Sequence, residues 1–322
     1  EAGDGHDTES YNTGVGSGAL GGPIAGGEYN TAVGAYALDA LTSGDNNVAV
    51  GYGSGSALTT GGGNIFMGLD AAASRTEGGD SVFLGYRAGH GCTTGNDIVF
   101  IGKNAGDGHD TEGNNLGIGT NALGGSIAGG EKNVAVGNNS LDALTSADNC
   151  VAIGYNAGTA ITTGNNQTFI GYQAGDANQT GTGNVLIGAD SSANSTAGSY
   201  RYVLGTNQHS TGDNDFTVGD GSNWSYISFG DTAWTSSSDE RLKEEITTST
   251  AGVSFINDLR PVTFKWKKRN EIDPDISFHY DADSDERLRN DFTNHGFIAQ
   301  EVKTAIDSHP EIKEGFKGWA DP

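Results

Sequence analysis

Positive charge is scarce in this sequence: 17 Lys and Arg stand against 41 Asp and Glu, a formal net charge of −24. Nucleic-acid binding relies on clustered Lys and Arg that release counterions from phosphates, so no nucleic-acid partner is expected. Cysteine is scarce too. Cys92 and Cys150 show no paired spacings, so the sequence predicts two free thiols rather than a disulfide framework, which suits synthesis in a reducing cytoplasm. Apolar runs are short. None approaches the roughly 20 residues that cross a bilayer, and no basic segment precedes a short apolar core, so no membrane insertion is expected. Only 5 prolines and 1 methionine occur in 322 residues. The chain begins at Glu1 in the middle of a repeat, from which an attachment region is expected upstream.

Glycine is abundant instead, at 53 residues, and such a bias calls for a search for repeats. Glycines that follow a short apolar run fall at Gly16, Gly34, Gly51, Gly68, Gly85, Gly102, Gly119, Gly137, Gly154, Gly171, Gly188 and Gly205. The step is 17 residues, with two steps of 18. Both longer steps carry the same insert, Gly21 to Glu28 and Gly124 to Glu131, so a 103-residue block of six coils recurs.

The residue before each of these glycines is apolar (Val15, Val33, Val50, Met67, Leu84, Ile101 and their successors), and the residue two places earlier is mostly β-branched or aliphatic, as at Val48, Ile65, Val82, Val99, Leu116, Val134, Val151 and Val185. The sequence predicts a short strand with this pair facing the interior of its own coil. The middle residue is also apolar or tiny, as at Ala32, Ala49, Phe66, Phe83, Phe100 and Phe169. A strand apolar on both faces is buried on both. On this reading the phenylalanines Phe66, Phe83, Phe100 and Phe169 point outward and need copies of the same chain to cover them. Asparagines before the strand, at Asn12, Asn30, Asn47, Asn64, Asn115, Asn133 and Asn184, are expected to hydrogen-bond from coil to coil. A mixed ladder seven residues after the glycine, Leu41, Leu58, Arg75, Cys92, His109, Leu144, Ile161 and Asn178, is expected at a partly wet edge.

The units Asn30 to Gly34, Asn47 to Gly51 and Thr168 to Gly175 resemble the head repeats of trimeric adhesins and of phage tail fibres. The resemblance implies a mainly β chain: residues 1–206 a β-solenoid of 17-residue coils, working as one strand of a homotrimeric fibre. It also implies a virion tail location, other tail proteins as partners, and a host cell-surface receptor or glycan as target. A cellular trimeric surface adhesin is the alternative, and a tail spike with a polysaccharide-degrading domain upstream of residue 1 a second.

After Gly205 the pattern weakens and large aromatics appear. Residues 207–237 read as a neck of short strands in which Trp224 and Trp234 fill a trimer axis. From Ser238 charged residues dominate. Residues 238–322 read as a small α+β domain with a strand around Pro261 to Lys267, a polar loop to about Asp291 and a helix from about Ala299 to Asp307.

Three motifs in order, Ser238 to Lys243, Leu259 to Trp266 and Gly296 to Val302, resemble the C-terminal intramolecular chaperone of endosialidase-type tail spikes. The resemblance implies a domain that trimerises, helps the preceding fibre fold and cuts itself off. The catalytic pair becomes Ser238 and Lys243 and the scissile bond Ser237–Ser238. The family domain continues into C-terminal helices, so this one reads as truncated at Pro322. A lysine activates a serine only when burial leaves its amine neutral. Five residues put two side chains about 140° apart on a helix and on opposite faces of a strand, so the pair must meet through a turn or across subunits. The same residues also fit a capping box from Ser237 to Glu240 that starts a helix.

The loops Gly3 to Glu9 and Gly106 to Glu112 gather acids and a histidine, but only the first half of a calcium-loop spacing is present, and solvated turns account for them. No metal and no cofactor is expected. Lys265 to Arg269 is read as a salt-bridged strand end beside the acidic loop from Asp273 to Asp285. The fibre acids Asp39, Asp70, Asp142 and Asp190 stand singly, whereas glycoside hydrolysis needs two carboxylates facing each other across a cleft. Binding is therefore expected of the fibre, not hydrolysis.

Overall fold

A computed structural model of the chain describes residues 11–229, 252–273, 281–288 and 291–309. Two compact units are present, Glu1–Ser237 and Ser238–Pro322. In the first, the repeat becomes strands β1 (Thr13–Val15), β2 (Thr31–Val33), β3 (Val48–Val50), β4 (Ile65–Met67), β5 (Val82–Leu84), β6 (Val99–Ile101), β7 (Leu116–Ile118), β8 (Val134–Val136), β9 (Val151–Ile153), β10 (Thr168–Ile170), β11 (Val185–Ile187) and β12 (Tyr202–Leu204). Each pairs in parallel with the next, position on position, so Ala49 lies beside Phe66 and Phe66 beside Phe83. Strand β13 (Asp215–Gly219) continues this parallel order, and β14 (Trp224–Ser228) closes the 14-stranded sheet antiparallel to it. The result is a β-solenoid.

The coil glycine is dictated twice over. At Gly85 φ is +138°, a region that side chains rarely adopt, and a Cβ there would come within 2.5 Å of the carbonyl oxygen of Gly102 on the next coil. Two residues further on, the chain passes through the left-handed region again, at Asp70, Asn104, Asn121, Asn139 and Asn156. Asn and Asp tolerate that conformation best, which is why they recur there.

The strand faces are the reverse of the expectation. Phe66, Phe83, Phe100 and Phe169, with Ala32, Ala49, Ala135 and Ala152, are completely buried inside a single chain. The flanking residues face out: Val15 is 56 % and Met67 48 % exposed. The phenylalanine ladder therefore needs no second copy to cover it, and its assignment to a subunit interface is corrected. The physical reason is volume. Four residues past the coil glycine stands a second inward slot, and the two slots in a coil exchange bulk: Leu38 with Ala49, Leu123 with Ala135, Leu141 with Ala152, but Gly55 with Phe66 and Gly158 with Phe169. Adding a Cβ at Gly55 or Gly158 would crowd the ring of Phe66 or Phe169. In these coils one large side chain fills the interior across the pair, and where both slots are glycine, at Gly106 and Gly117, the ring of Phe100 from the neighbouring strand occupies the space, as close packing requires.

The ladder expected at a wet edge is likewise interior. Leu41, Leu58, Arg75, Cys92, His109, Leu144, Ile161 and Asn178 are all buried. The asparagine ladder forms as expected and does more: each side chain accepts a backbone N–H of the next coil and donates its amide to a turn carbonyl, and Asn30, Asn47 and Asn64 also donate to the asparagine before them. Asn47 donates to Asn30 Oδ1 at 3.0 Å and to Gly61 O at 2.9 Å, and Asn64 repeats this with Asn47 and Gly78. Cys92 and Cys150 are free and buried.

In the second unit, α1 (Val253–Asp258) precedes β15 (Val262–Phe264), which pairs antiparallel with β16 (Asn294–Gly296), and α2 (Ala299–Asp307) follows. The hairpin and helix match the expected α+β reading, although the strand is shorter than its sequence pattern. Lys268 reaches Asp285 at 3.0 Å, the salt-bridged strand end read from the sequence.

Candidate functional site

The outward face of the solenoid is the most distinctive surface of the first unit. From β2 to β12 the first and third residues of each strand run Thr31 and Val33, Val48 and Val50, Ile65 and Met67, Val82 and Leu84, Val99 and Ile101, Leu116 and Ile118, and on to Tyr202 and Leu204. No charged residue interrupts them. Among them Val33, Ile65, Met67, Ile153, Ile170 and Leu204 are well exposed and the others partly so. At a rise of about 4.8 Å per coil the stripe is about 50 Å long. Its area is on the order of 1,000 Å², beyond the apolar patch a monomer ordinarily shows. Period-two alternation put an apolar stripe on each strand face and could not say which one is inside. The missed signal was the exchange of bulk between the strand centre and the slot four residues past the glycine, which marks both as sharing one interior.

Inside, the buried column carries three polar members in consecutive coils. The Arg75 guanidinium sits 5.3 Å from the Phe83 ring centroid, and its Nη2 donates to Ser81 Oγ at 3.2 Å and to Gly95 O. Its Nε and Nη1 have no partner. Burial pushes the Cys92 thiol up to about 12, although the Arg75 charge opposes this, so the thiol stays protonated and unreactive. Burial also pushes His109 down to about 3, so its ring is neutral. The ring meets Phe100 edge-on at 4.6 Å, with Nε2 3.3 Å from the Asn115 amide.

The acidic loop at Gly106 to Glu112 spends its groups internally. The Glu112 carboxylate accepts from the backbone N–H of Asp110, Thr111 and Gly129, and His109 points into the core. Among the described residues, no three His, Cys, Asp or Glu side chains gather to hold a metal. The neck aromatics fall on both sides of the described region. Trp224 is half-buried in β14, with its ring 5.8 Å from Tyr226, while Trp234 lies outside the described residues.

The proposed cleavage residues, Ser237, Ser238 and Lys243, also lie outside the described residues. What is described of that unit is its scaffold. Arg260 forms a two-pronged ion pair with Glu301, tying the entry of β15 to α2, and holds the Glu301 carboxyl below its usual range. His309 beyond α2 meets Asp258 at the end of α1 at 2.8 Å, with its ring edge-on to Phe255. These contacts hold α1, the hairpin and α2 together. Val253, Ile256, Phe292 and Phe297 remain exposed on the same unit.

Residues 238–309 match the family model described as chaperone of endosialidase. No curated protein and no solved structure matches the chain. A β-solenoid followed by such a module is the composition of a tail-spike or tail-fibre type of protein.

Proposed function

We propose that this chain is a segment of a virion tail fibre or spike that attaches to a host surface, and that it assembles as a parallel homotrimer folded with the help of residues 238–322. The observation that carries the reading is the outward stripe. Exposed apolar surface of this size marks an interaction site, and a charge-free strip about 50 Å long is matched best by another copy of itself. A chain with net charge −24 repels its copies everywhere except along such a strip. Assembly through long apolar stripes risks off-register pairing, which gives an intramolecular chaperone its task of setting the register at one end.

Once the register is set, the module is cut away at Ser237–Ser238. The neutral amine of Lys243 takes the Ser238 hydroxyl proton as the oxygen adds to the Ser237 carbonyl. That proton passes to the departing Ser238 nitrogen, and water then hydrolyses the ester. Subunit packing supplies the desolvation that Lys243 needs.

Multi-angle light scattering tests the assembly. The uncut Ser238→Ala chain is expected at three times its monomer mass, and the wild type at three times the mass of its fibre piece. Ile101→Asp, which places a charge in the stripe without touching a coil interior, is expected at monomer mass with its β circular dichroism retained. A monomeric wild type would sink the reading.

A further inference from the structure

Beyond the stripe lies a surface of different chemistry. In four successive coils of the second block, the two residues past the coil glycine are uncharged: Thr120 and Asn121, Asn138 and Asn139, Tyr155 and Asn156, Tyr172 and Gln173. Lys103 precedes the run and Asp190 ends it. Tyr155 and Tyr172 are stacked, with ring centroids 5.7 Å apart and planes 9° from parallel, and each is about half exposed, at 48 % and 50 %. Beside them the half-buried amides form a column. Asn121 donates to Asn139 Oδ1 at 3.1 Å and Asn139 donates to Asn156 Oδ1 at 3.0 Å.

We propose that this ridge is where the fibre binds its target, and that the target is a neutral linear polysaccharide lying along the solenoid axis. Three observations converge on that chemistry. The stacked rings of Tyr155 and Tyr172 turn a face toward each other and leave their edges open to water, an apolar strip ending in hydroxyls that suits the C–H groups and polar rims of sugar rings. The amides suit sugar hydroxyls, because each Asn carries two N–H donors and a two-lone-pair oxygen, and donating one N–H and accepting one bond within the column leaves one donor and one lone pair. That column is already ordered, so binding loses little side-chain freedom. Thirdly, the ladder repeats at about 4.8 Å per coil, similar to the advance of one sugar in an extended chain. One coil can therefore address one sugar, and four coils a tetrasaccharide.

Charge selects among polysaccharides. Before residue 238 the chain carries 23 acidic side chains and 5 basic ones, a field that repels a sulfated or carboxylated polymer. The amides also separate this ridge from the apolar stripe, since a self-association face would leave them buried without partners.

The inference rests on the attachment role proposed above, and its test separates the two. Cellohexaose, chitohexaose and maltohexaose are titrated into the full-length chain by calorimetry, with dextran sulfate as the polyanion, and the assembled mass of every variant is measured in parallel. At least one neutral hexaose is expected to saturate. Tyr155→Ala and Tyr172→Ala are each expected to weaken it about fivefold or more, Tyr155→Phe to retain it, and all three to keep the wild-type mass. Failure of every hexaose to saturate at millimolar concentrations, or saturation by dextran sulfate alone, overturns the ridge while leaving the fibre reading intact if the mass is trimeric. Loss of mass in Tyr155→Ala also overturns it, by assigning the tyrosines to self-association.

Discussion

Arg75 stands in for an asparagine that Ser81 does not provide. Elsewhere in the ladder the amide of Asn47 or Asn64 caps a turn carbonyl fourteen residues on, Gly61 or Gly78. At Ser81 the side chain is too short, and the guanidinium of Arg75 caps Gly95 O while bonding the Ser81 hydroxyl at 3.2 Å. A buried arginine with Nε and Nη1 unpaired is an expensive replacement.

Restoring the ladder should therefore stabilise the rod. Ser81→Asn combined with Arg75→Leu returns both slots to the residues used in neighbouring coils and removes a buried charge. The double variant is expected to gain about 1–4 kcal/mol in urea denaturation. Ser81→Asn alone, which crowds the guanidinium, and Arg75→Leu alone, which leaves Gly95 O without its cap, are each expected to fall short of the pair. Additive single effects would show that the two positions are not coupled.

His109 should make the fibre acid-sensitive. Burial holds its folded pKa at about 3, below the 6.5 of the free side chain. As the pH falls from 6.5, the unfolded chain takes up a proton that the folded chain refuses, so stability is complete above 6.5 and is lost towards 3. The expected slope is about 1.4 kcal/mol per pH unit. His109→Leu, matching Leu144 in the same slot, should flatten the wild-type dependence between pH 6.5 and 5, above the range where carboxylates dominate. Parallel curves for the two proteins would refute the assignment.

The exchange of bulk inside each coil gives a test of which strand face is interior. Phe66→Ala is expected to cost about 3–5 kcal/mol, and Gly55→Leu to be destabilising through overlap with the Phe66 ring. Together they recreate the Leu38 and Ala49 pairing of the preceding coil, and the double variant should recover part of the loss, less the strain of a leucine at the +60° φ of Gly55. Assembled mass should not change in any of these variants. A shift to monomer in Phe66→Ala would return the phenylalanines to the interface.

Self-cleavage is checked by mass spectrometry. The full-length chain is expected to yield two pieces separated at Ser237–Ser238, after assembly and not before. Ser238→Ala should abolish the cut while leaving a folded trimer, and Lys243→Ala should do nearly the same. The uncut variants should unfold faster on heating than the mature fibre, because cleavage removes the scaffold that makes assembly reversible. Cutting that persists in Ser238→Ala would reduce the motif to the cap of a helix.

The period, the number of coils and the place of every coil glycine were determined by the sequence alone, because a local constraint sets them. A φ near +138° together with contact against the backbone of the next coil admits no side chain at Gly85, and that demand repeats wherever the chain turns. The asparagine ladder was legible for the same reason, as a short polar side chain recurring in register. The inward face was not legible. Val82, Phe83 and Leu84 are all apolar, and alternation cannot rank two apolar faces; only the closure of the coil around a fixed volume, with Gly or Ala opposite a phenylalanine and Leu opposite an alanine, put Phe83 inside and left Val82 and Leu84 outside. Tertiary packing likewise decided that Arg75 and His109 are core residues, since the closed coils around the buried column they share with Leu58 and Cys92 leave them no route to water.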